Sequence, residues 1–465
     1  MTLLRRKFSY NTYEKLSILL FCISTVMLFI YLNRVQPYYF IDEMFHIPQA
    51  LRYCAGNFTQ WDSKITTLPG LYLMTALILS PLNLCNVIAI RCINLFGTIL
   101  NFYLVHNILK KISKLNQSQK WNEWMELAVS YNIALLPPLF FWHFLYYTDV
   151  LSVTTVLLML LLYLHKSFKL SAFIGLLSIL VRQTNIIWVA LLTLERALDL
   201  LDCKIKKSIK TDYNSIRYLS QLWKLIVEEA YRGPVSFIKF IAEICIKLLP
   251  YITICLLFVM FVIWNNGIVI GDRSAHIATI HVPQLFYFSL FIFGFLWPYM
   301  IVHWRKYLKV AQEHWILASC LFAVLTVIVH CNTLVHPYML ADNRHYVFYI
   351  WNKFMGKYVI FKYLLIPVYT FTMYTMLYNI SHLRFATQIN YIIMVSAVLI
   401  PQLLVEPRYF IIPYIFYRLS LPKPKKWQII MESLTTLVVN FLQFFIFVNK
   451  EFYWDDQLHP QRISW

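Results

Sequence analysis

The chain contains 465 residues, of which 60% are hydrophobic and only 14% are charged. Soluble domains usually carry about 25% charged residues, so this composition argues against a set of soluble domains. The formal net charge is +19, and the Lys and Arg residues lie mainly in short connectors and one long loop. That pattern fits the positive-inside rule and contact with anionic membrane lipid. Because no nucleic-acid-binding module is recognised, we expect membrane lipid, and no nucleic acid, as a partner.

Apolar segments suited to membrane helices recur along the chain. A span needs about 20 apolar residues. Segments near that length predict about 13 transmembrane helices, within a range of about 12 to 14. The predicted spans are residues 16–32, 88–108, 125–146, 150–165, 169–182, 186–201, 248–266, 284–302, 314–332, 358–379, 388–405, 407–419 and 428–448. The sequence therefore predicts an all-α polytopic membrane protein. A further apolar stretch, 67–82, is bounded by Pro69 and Pro81.

Basic residues mark the connectors of one side. They cluster at residues 5–7, 110–120, 165–169, 202–247, 305–309 and 418–426. By the positive-inside rule these segments, and with them the N-terminus, are cytosolic. The opposite side then holds residues 33–66, 146–149, 182–185, 267–283, 333–357 and 406–409. This parity requires that residues 67–82 do not cross, so we predict a re-entrant or surface-packed segment there; an additional span is the alternative.

The longest basic connector, residues 202–247, is too small and too polar to build much of a core. Its basic residues are Lys204, Lys206, Lys207, Lys210, Arg217, Lys224, Arg232, Lys239 and Lys247. We predict a solvated cytosolic loop with an amphipathic helix on the lipid surface, the alternative being a small cytosolic domain.

Acidic residues follow directly after the first span. Asp42 and Glu43, with His46 close behind, lie in the loop 33–66 on the predicted non-cytosolic side. Charged groups near a membrane are costly and usually have a function. A carboxylate there can act as a general base towards a substrate hydroxyl. Metal binding, or capping of a helix by Asp42, is the alternative.

The same loop continues with Trp61 and Asp62. A Trp ring beside a carboxylate fits a sugar-binding surface, with an interfacial aromatic belt as the alternative. No H-x-x-x-H, H-E-x-x-H or C-x-x-C pattern occurs, so no metal site is predicted. A disulfide that involves Cys54 is left open.

Arginines and carboxylates recur in the other segments of this side. They are Arg182, Asp272, Arg273, Asp342, Arg344 and Arg408, with His345 beside Arg344. Guanidinium groups bind phosphate through a planar fork of donors. For each arginine taken alone, a helix-end or interfacial ion pair is the alternative. Together with apolar walls, the set predicts a lipid-linked sugar phosphate whose leaving phosphate is stabilised by positive charge.

Longer motifs within these segments carry a resemblance to a known family. They occupy residues 42–50, 65–72, 182–188, 267–274, 340–346 and 408–410. In these motifs, and over nearly its whole length, the chain resembles the dolichyl-phosphate-glucose-dependent α-1,2-glucosyltransferases of the endoplasmic reticulum. Their motifs are far longer than a short regular expression, so the resemblance is specific.

The resemblance implies a multi-pass enzyme of the endoplasmic reticulum with a GT-C-like helical bundle, a single membrane-embedded domain over residues 1–465, and an active site in luminal loops. The implied reaction is inverting transfer of the terminal glucose from dolichyl phosphate glucose to the diglucosylated dolichyl-diphosphate oligosaccharide. No cofactor or divalent metal is expected. The alternatives are a transferase for another dolichol-linked sugar, or a transporter, channel or idle scaffold.

Residue roles follow from the same resemblance. The first luminal loop, 33–66, carries the acidic catalytic residue, which is Asp42, with Glu43 as the competing choice. The expected substrate-binding residues are His46, Trp61, Asp62, Arg182, Asp272, Arg273, Asp342, Arg344, His345 and Arg408. Among them, Arg344 with His345 or Arg408 is expected to hold the donor phosphate.

Overall fold

The computed structural model describes residues 2–115, 121–205, 212–273 and 278–465, with side chains from Thr12 onwards. The first helices are α1 Thr2–Val35, α2 Glu43–Cys54, α3 Gly70–Leu79, α4 Val87–Leu115, α5 Glu123–Ala134, α6 Pro137–Trp142, α7 Thr148–Leu164, α8 Phe168–Val181, α9 Ile186–Asp202, α10 Arg217–Tyr231 and α11 Pro234–Asn265. They are followed by α12 Pro283–Met300, α13 Trp304–Glu313, α14 Trp315–Asn332, α15 Pro337–Ala341, α16 Tyr346–Ile350, α17 Phe361–Leu364, α18 Ile366–Ile380, α19 Phe385–Leu399, α20 Ile411–Ser420 and α21 Lys426–Asn449.

Short turns and one hairpin complete the fold. The turns are the 3-10 segments Ser80–Leu82, Gln183–Asn185, Ile301–His303 and Pro407–Phe410, and the π-helical segment Trp351–Met355. Two strands, β1 Glu451–Phe452 and β2 Gln461–Arg462, pair antiparallel near the end of the chain.

Six helices of the described part are long and apolar enough to cross a membrane. They are Thr12–Val35, Val87–Leu115, Pro234–Asn265, Pro283–Glu313, Trp315–Asn332 and Lys426–Asn449. Each overlaps a predicted span, and the all-α membrane class is therefore confirmed. The other predicted spans are shorter or interrupted, so the count of about 13 stays a prediction.

Proline explains the clearest interruption. The predicted span 125–146 is divided into α5 and α6, because Leu136 takes a non-helical conformation, with ψ of 117°, and Pro137 begins the next helix. The residue before a proline is disfavoured in the helical region.

The apolar stretch 67–82 forms only α3 and the turn Ser80–Leu82. A helix of this length rises about 20 Å, less than the hydrocarbon core of about 30 Å. That length favours the prediction that the stretch does not cross. At Gly70, an added Cβ would lie 2.6 Å from the backbone of Leu180, so only glycine allows α3 to approach α8 this closely.

The basic connector 202–247 is more helical than predicted. The helix α10 corresponds to the expected amphipathic helix, but residues 234–247 are the first part of the 32-residue α11 rather than loop. Gly233, with φ of +109°, and Pro234 at the first helical position explain the early start. Residues 206–211, with Lys206, Lys207 and Lys210, lie outside the described residues.

A disulfide joins Cys54 at the end of α2 to Cys85, which precedes α4. The crosslink holds the end of α2 close to the start of α4, with α3 in the closed loop between them. It answers the question that the sequence left open at Cys54. Near it, a buried cluster packs α2 on α3, α4 and α7 and includes Ile47, Tyr72 and Leu151.

Replacing Cys54 and Cys85 together by alanine is expected to lower the free energy of unfolding by about 3 to 4 kcal/mol, since the disulfide closes a loop of moderate length. Thermal unfolding of the purified protein in detergent measures the change. The control is Cys320→Ala, because Cys320 is an exposed free cysteine. An equal loss in control and double variant would contradict a stabilising role for the crosslink.

Candidate active site

Asp42 occupies the N-cap position of α2, but its side chain makes no capping hydrogen bond. Its Oδ2 lies 3.0 Å from Nη1 of Arg408, and 37% of the side chain is exposed. Burial by itself raises the pKa of this carboxyl, but the charge and the hydrogen bond of Arg408 lower it, so the pKa lies below its usual range. Asp42 is therefore an ionised, partly accessible carboxylate.

Glu43, one residue later, is wholly buried. Arg91 of α4 binds both of its oxygens, at 2.9 Å through Nε and 2.6 Å through Nη2. The backbone N–H groups of Phe40 and Tyr146 donate to the same carboxylate at 3.0 and 2.7 Å. With both oxygens held in this way, Glu43 anchors the first loop to the bundle and offers no surface to a substrate.

A strained turn precedes the two carboxylates. Ile41 has φ of +49°, a left-handed conformation that is uncommon for a β-branched residue. The Tyr147 hydroxyl stabilises this turn: it donates to the Phe40 carbonyl at 2.9 Å and accepts from the Asp42 N–H at 3.0 Å. Backbone strain of this kind persists where the surroundings impose it, and it is concentrated at functional sites.

Arg408 lies between two carboxylates. Besides Asp42, it binds both oxygens of Glu406 at 3.0 Å through Nε and Nη2. Its guanidinium carbon lies 5.4 Å from the Trp142 ring centre and 5.7 Å from that of Tyr147. These contacts fix the cation beside Oδ2 of Asp42.

His46 lies one turn into α2, and its Nδ1 is 2.5 Å from the Tyr72 hydroxyl. Burial lowers the pKa of His46 to about 4, with opposing effects of Asp42 and Arg408. At neutral pH the ring is therefore uncharged and acts as a hydrogen-bonding group.

Arg182 pairs with the buried Asp149 at the start of α7, and the Asp149 carboxylate acts electrostatically on His46.

Asp342, Arg344 and His345 form a compact group between α15 and α16. Arg344 binds both oxygens of Asp342, at 2.9 Å through Nε and 2.7 Å through Nη2. His345 Nε2 lies 3.7 Å from Asp342 Oδ2. His345 also contributes electrostatically to the lowered pKa of Asp42. The group therefore faces the same site as the first loop.

Trp61 and Asp62 lie next to α2, the helix that carries His46. Gln49 of α2 accepts from the Asp62 N–H at 3.0 Å. The Trp61 ring lies 5.8 Å from that of Tyr72, which contacts His46. Trp61 is thus one side chain removed from His46, and Asp62 is tied to α2 through Gln49.

Asp272 contacts the first loop, whereas Arg273 contacts the end of α11. Lys64 lies 3.4 Å from Asp272, and the Asp272 N–H donates to the Ser63 carbonyl at 2.7 Å. Arg273 donates to the carbonyls of Asn265 and Asn266 at 2.5 and 3.0 Å. Arg273 therefore binds backbone carbonyls at the end of α11 rather than a carboxylate.

Three site residues were not predicted. Asp149, Glu406 and Arg91 supply the opposite charges for Arg182, Arg408 and Glu43. One oxygen of Asp149, Oδ2, has no partner among the described residues. Their common signal is a charged residue close to the end of an apolar helix. Within the described part of the chain, no group of three or more His, Cys, Asp or Glu side chains is arranged to hold a metal.

The family model of the DIE2/ALG10 family matches residues 36–419. The chain belongs to the DIE2/ALG10 family. A relative from Drosophila melanogaster is 37% identical, over 96% of this chain and 97% of its own length. Relatives from Homo sapiens and Arabidopsis thaliana are 35% and 31% identical over 92% and 94% of this chain. All three are named Dol-P-Glc:Glc(2)Man(9)GlcNAc(2)-PP-Dol alpha-1,2-glucosyltransferase.

No solved structure matches the chain. The DIE2/ALG10 match contains every predicted site residue from Asp42 to Arg408, whereas the hairpin of β1 and β2 lies beyond it. Membership of the DIE2/ALG10 family confirms the resemblance that the sequence motifs indicated.

Proposed function

We propose that this chain is an α-1,2-glucosyltransferase that moves glucose from dolichyl phosphate glucose to the diglucosylated dolichyl-diphosphate oligosaccharide. This is the last step in assembling the oligosaccharide for protein N-glycosylation. The names of the full-length relatives support the reaction. The observation that carries it here is the ionised, partly exposed Asp42 held 3.0 Å from Arg408.

The proposed chemistry is a single displacement. Asp42 accepts the proton of the acceptor 2-hydroxyl while the oxygen attacks C1 of the donor glucose. The bond from C1 to the phosphate oxygen breaks, and dolichyl phosphate leaves with the electron pair. One base suffices and no covalent intermediate forms, so the β-linked donor gives an α-linked product, by the stereochemical logic known for hydrolases.

The choice of Asp42 over Glu43 rests on accessibility. Asp42 exposes 37% of its side chain, whereas Glu43 is wholly buried and bound at both oxygens. A general base must come within hydrogen-bond reach of the proton that it accepts. Asp42 meets that condition without rearrangement of the bundle.

Positive charge at the leaving phosphate supplies the second part of the mechanism. Arg408 lies beside Asp42, and the carboxylate of Glu406 fixes its direction. Arg344 directly precedes His345, and the carboxylate of Asp342 fixes its direction. A guanidinium that is already oriented stabilises developing charge without further reorganisation. In this proposal Arg344 with His345 binds the donor phosphate, and His46, Trp61 and Asp62 line the sugar site.

The proposed topology places the site in the lumen of the endoplasmic reticulum and the N-terminus in the cytosol, within a GT-C-like bundle. The disulfide Cys54–Cys85 lies on the side of the first loop. Disulfides persist in oxidising compartments such as this lumen. The basic connectors on the other side agree with that orientation.

Arg344→Ala is expected to raise the KM for dolichyl phosphate glucose about tenfold or more, since a hydrogen bond to a charged group contributes about 1.5 to 3 kcal/mol. The measurement is initial rate against donor concentration at saturating acceptor. Arg217→Ala, at an exposed position of α10, is the matched control. A rise confined to the KM for the acceptor would remove Arg344 from the phosphate site.

The substrate assignment is tested with the purified protein. Dolichyl phosphate glucose and the diglucosylated acceptor are expected to give a product with one more glucose. Dolichyl phosphate mannose is expected neither to replace the donor nor to compete well with it. Transfer of mannose at a comparable rate would overturn the assignment. Repeating the assay with EDTA tests the prediction that no divalent metal is required.

A further inference from the structure

The segment that follows α21 returns across the candidate active site. It comprises Lys450–Trp465 and contains the short hairpin of β1 and β2. The sequence assigned it no role, and it lies outside the region matched by the family model. We call Lys450–Trp465 the strap.

The end of the strap is bonded to the backbone around Arg344 and His345. The Ser464 N–H donates to the Arg344 carbonyl at 2.7 Å, and the Tyr346 N–H donates to the Ser464 carbonyl at 3.1 Å. His345 Nδ1 lies 2.7 Å from the Trp465 carbonyl oxygen. These bonds extend the strap as a short parallel pairing along the loop that carries the proposed phosphate-binding residues.

Strap side chains also hold the Arg344 guanidinium. Its carbon lies 4.5 Å from the ring centre of Trp454, and Nη1 lies 3.3 Å from Gln461 Oε1. The Trp454 indole N–H donates to Asn343 Oδ1 at 3.0 Å, which fixes the ring against the loop. The Trp454 ring and the side-chain oxygen of Gln461 thus restrict the Arg344 guanidinium on the sides that Asp342 does not contact.

The middle of the strap is attached to the first loop. Arg462 is buried, and its Nε donates to Gln36 Oε1 at 3.2 Å. The His459 ring stacks on Tyr38 with centres 3.5 Å apart. The carbonyls of Gln36 and Tyr38 in turn accept from Arg91, the residue that holds Glu43. Contacts therefore run without interruption from the strap to the residue next to Asp42.

We propose that the strap sets the position of Arg344 and His345 relative to Asp42, and that Trp454 and Gln461 are positioning residues for the donor phosphate. This inference rests on the proposed function. A carboxylate base and a phosphate-binding arginine on two separate loops need a common support, because small misplacements of reacting groups cost large factors in rate. The strap touches both loops and provides that support.

Trp454→Ala tests the inference by a split between kinetic constants. The KM for dolichyl phosphate glucose is expected to rise about three- to tenfold, which lies within the range for loss of one cation–π contact. The KM for the acceptor and the melting temperature are expected to stay unchanged. Trp454→Phe keeps an aromatic face and is expected to restore most of the donor affinity. The matched control is Tyr453→Ala, since Tyr453 is the neighbouring strap residue and 71% exposed.

An unchanged donor KM, or parallel changes in donor KM, acceptor KM and melting temperature, would overturn the inference. If Trp454→Ala does not accumulate as folded protein, Gln461→Met takes its place. It removes the side-chain oxygen that accepts the hydrogen bond from Arg344 and keeps a similar side-chain length. The same rise in the KM for the donor alone is expected, and an unchanged donor KM would overturn the inference. The proposed function fails separately: if the unaltered chain transfers no glucose, the substrate assignment is wrong whatever the strap variants do.

Discussion

Asp42→Asn is expected to lower kcat for glucose transfer by a factor of about 10² to 10⁴, the usual contribution of a positioned general base. The amide has nearly the same shape as the carboxylate but does not accept the acceptor's proton. Because 37% of the side chain is exposed and its bond to Arg408 is one of several made by that guanidinium, the variant is expected to fold. The measurement is the single-turnover rate at saturating donor and acceptor.

The matched control is Asp456→Asn, an identical chemical change at an exposed position of the strap. It is expected to leave the rate unchanged. Near-normal turnover by Asp42→Asn would exclude Asp42 as the base.

Glu43→Gln is expected to lower the free energy of unfolding by about 3 to 5 kcal/mol, since it leaves the buried Arg91 charge without its counter-ion. Both partners are shielded from solvent, with side-chain exposures of 0% for Glu43 and 2% for Arg91. Thermal or denaturant unfolding in detergent measures the loss. The double variant Glu43→Met with Arg91→Met removes both charges and is expected to recover part of the stability.

Glu313→Gln serves as the control, since Glu313 is exposed and 3.7 Å from Lys309. Surface pairs of this kind contribute about 0 to 1 kcal/mol. If Glu43→Gln kept full stability but lost transfer, the roles of the two adjacent carboxylates would have to be exchanged.

These two variants mark what sequence could and could not predict. The motif at residues 42–50 was recognisable, and hydropathy predicted the membrane class. The sequence left Asp42 and Glu43 as competing choices. Their difference arises from Arg91, a partner 48 positions away in the chain, and from the turn at Ile41. Neither a long-range ion pair nor a left-handed isoleucine has a local sequence signal.

For the arginines too, the sequence predicted part of the arrangement, and the rest depends on how the helices pack. The topology argument predicted them on one side of the membrane, and Arg408 lies beside Asp42. Their carboxylate partners Asp149 and Glu406 were not predicted, because pairing across helices depends on packing. Arg273 caps the end of α11 through backbone carbonyls, and such a contact depends on where the helix ends.

The strap had no sequence signal at all. It is short and polar, with neither helical nor strand periodicity, and its two strands contain only two residues each. Its importance comes from contacts with loops that are more than a hundred residues earlier, such as the Trp454–Asn343 hydrogen bond. Tertiary contacts of this range are visible only in the folded chain.

The configuration of the product linkage tests the central claim most directly. The purified chain is incubated with β-linked dolichyl phosphate glucose and the diglucosylated acceptor, and the new linkage is determined by NMR of the released glycan. A single displacement with Asp42 as base predicts an α-1,2 linkage, with inversion at C1. A β-linked product, with the donor configuration retained, would contradict the mechanism.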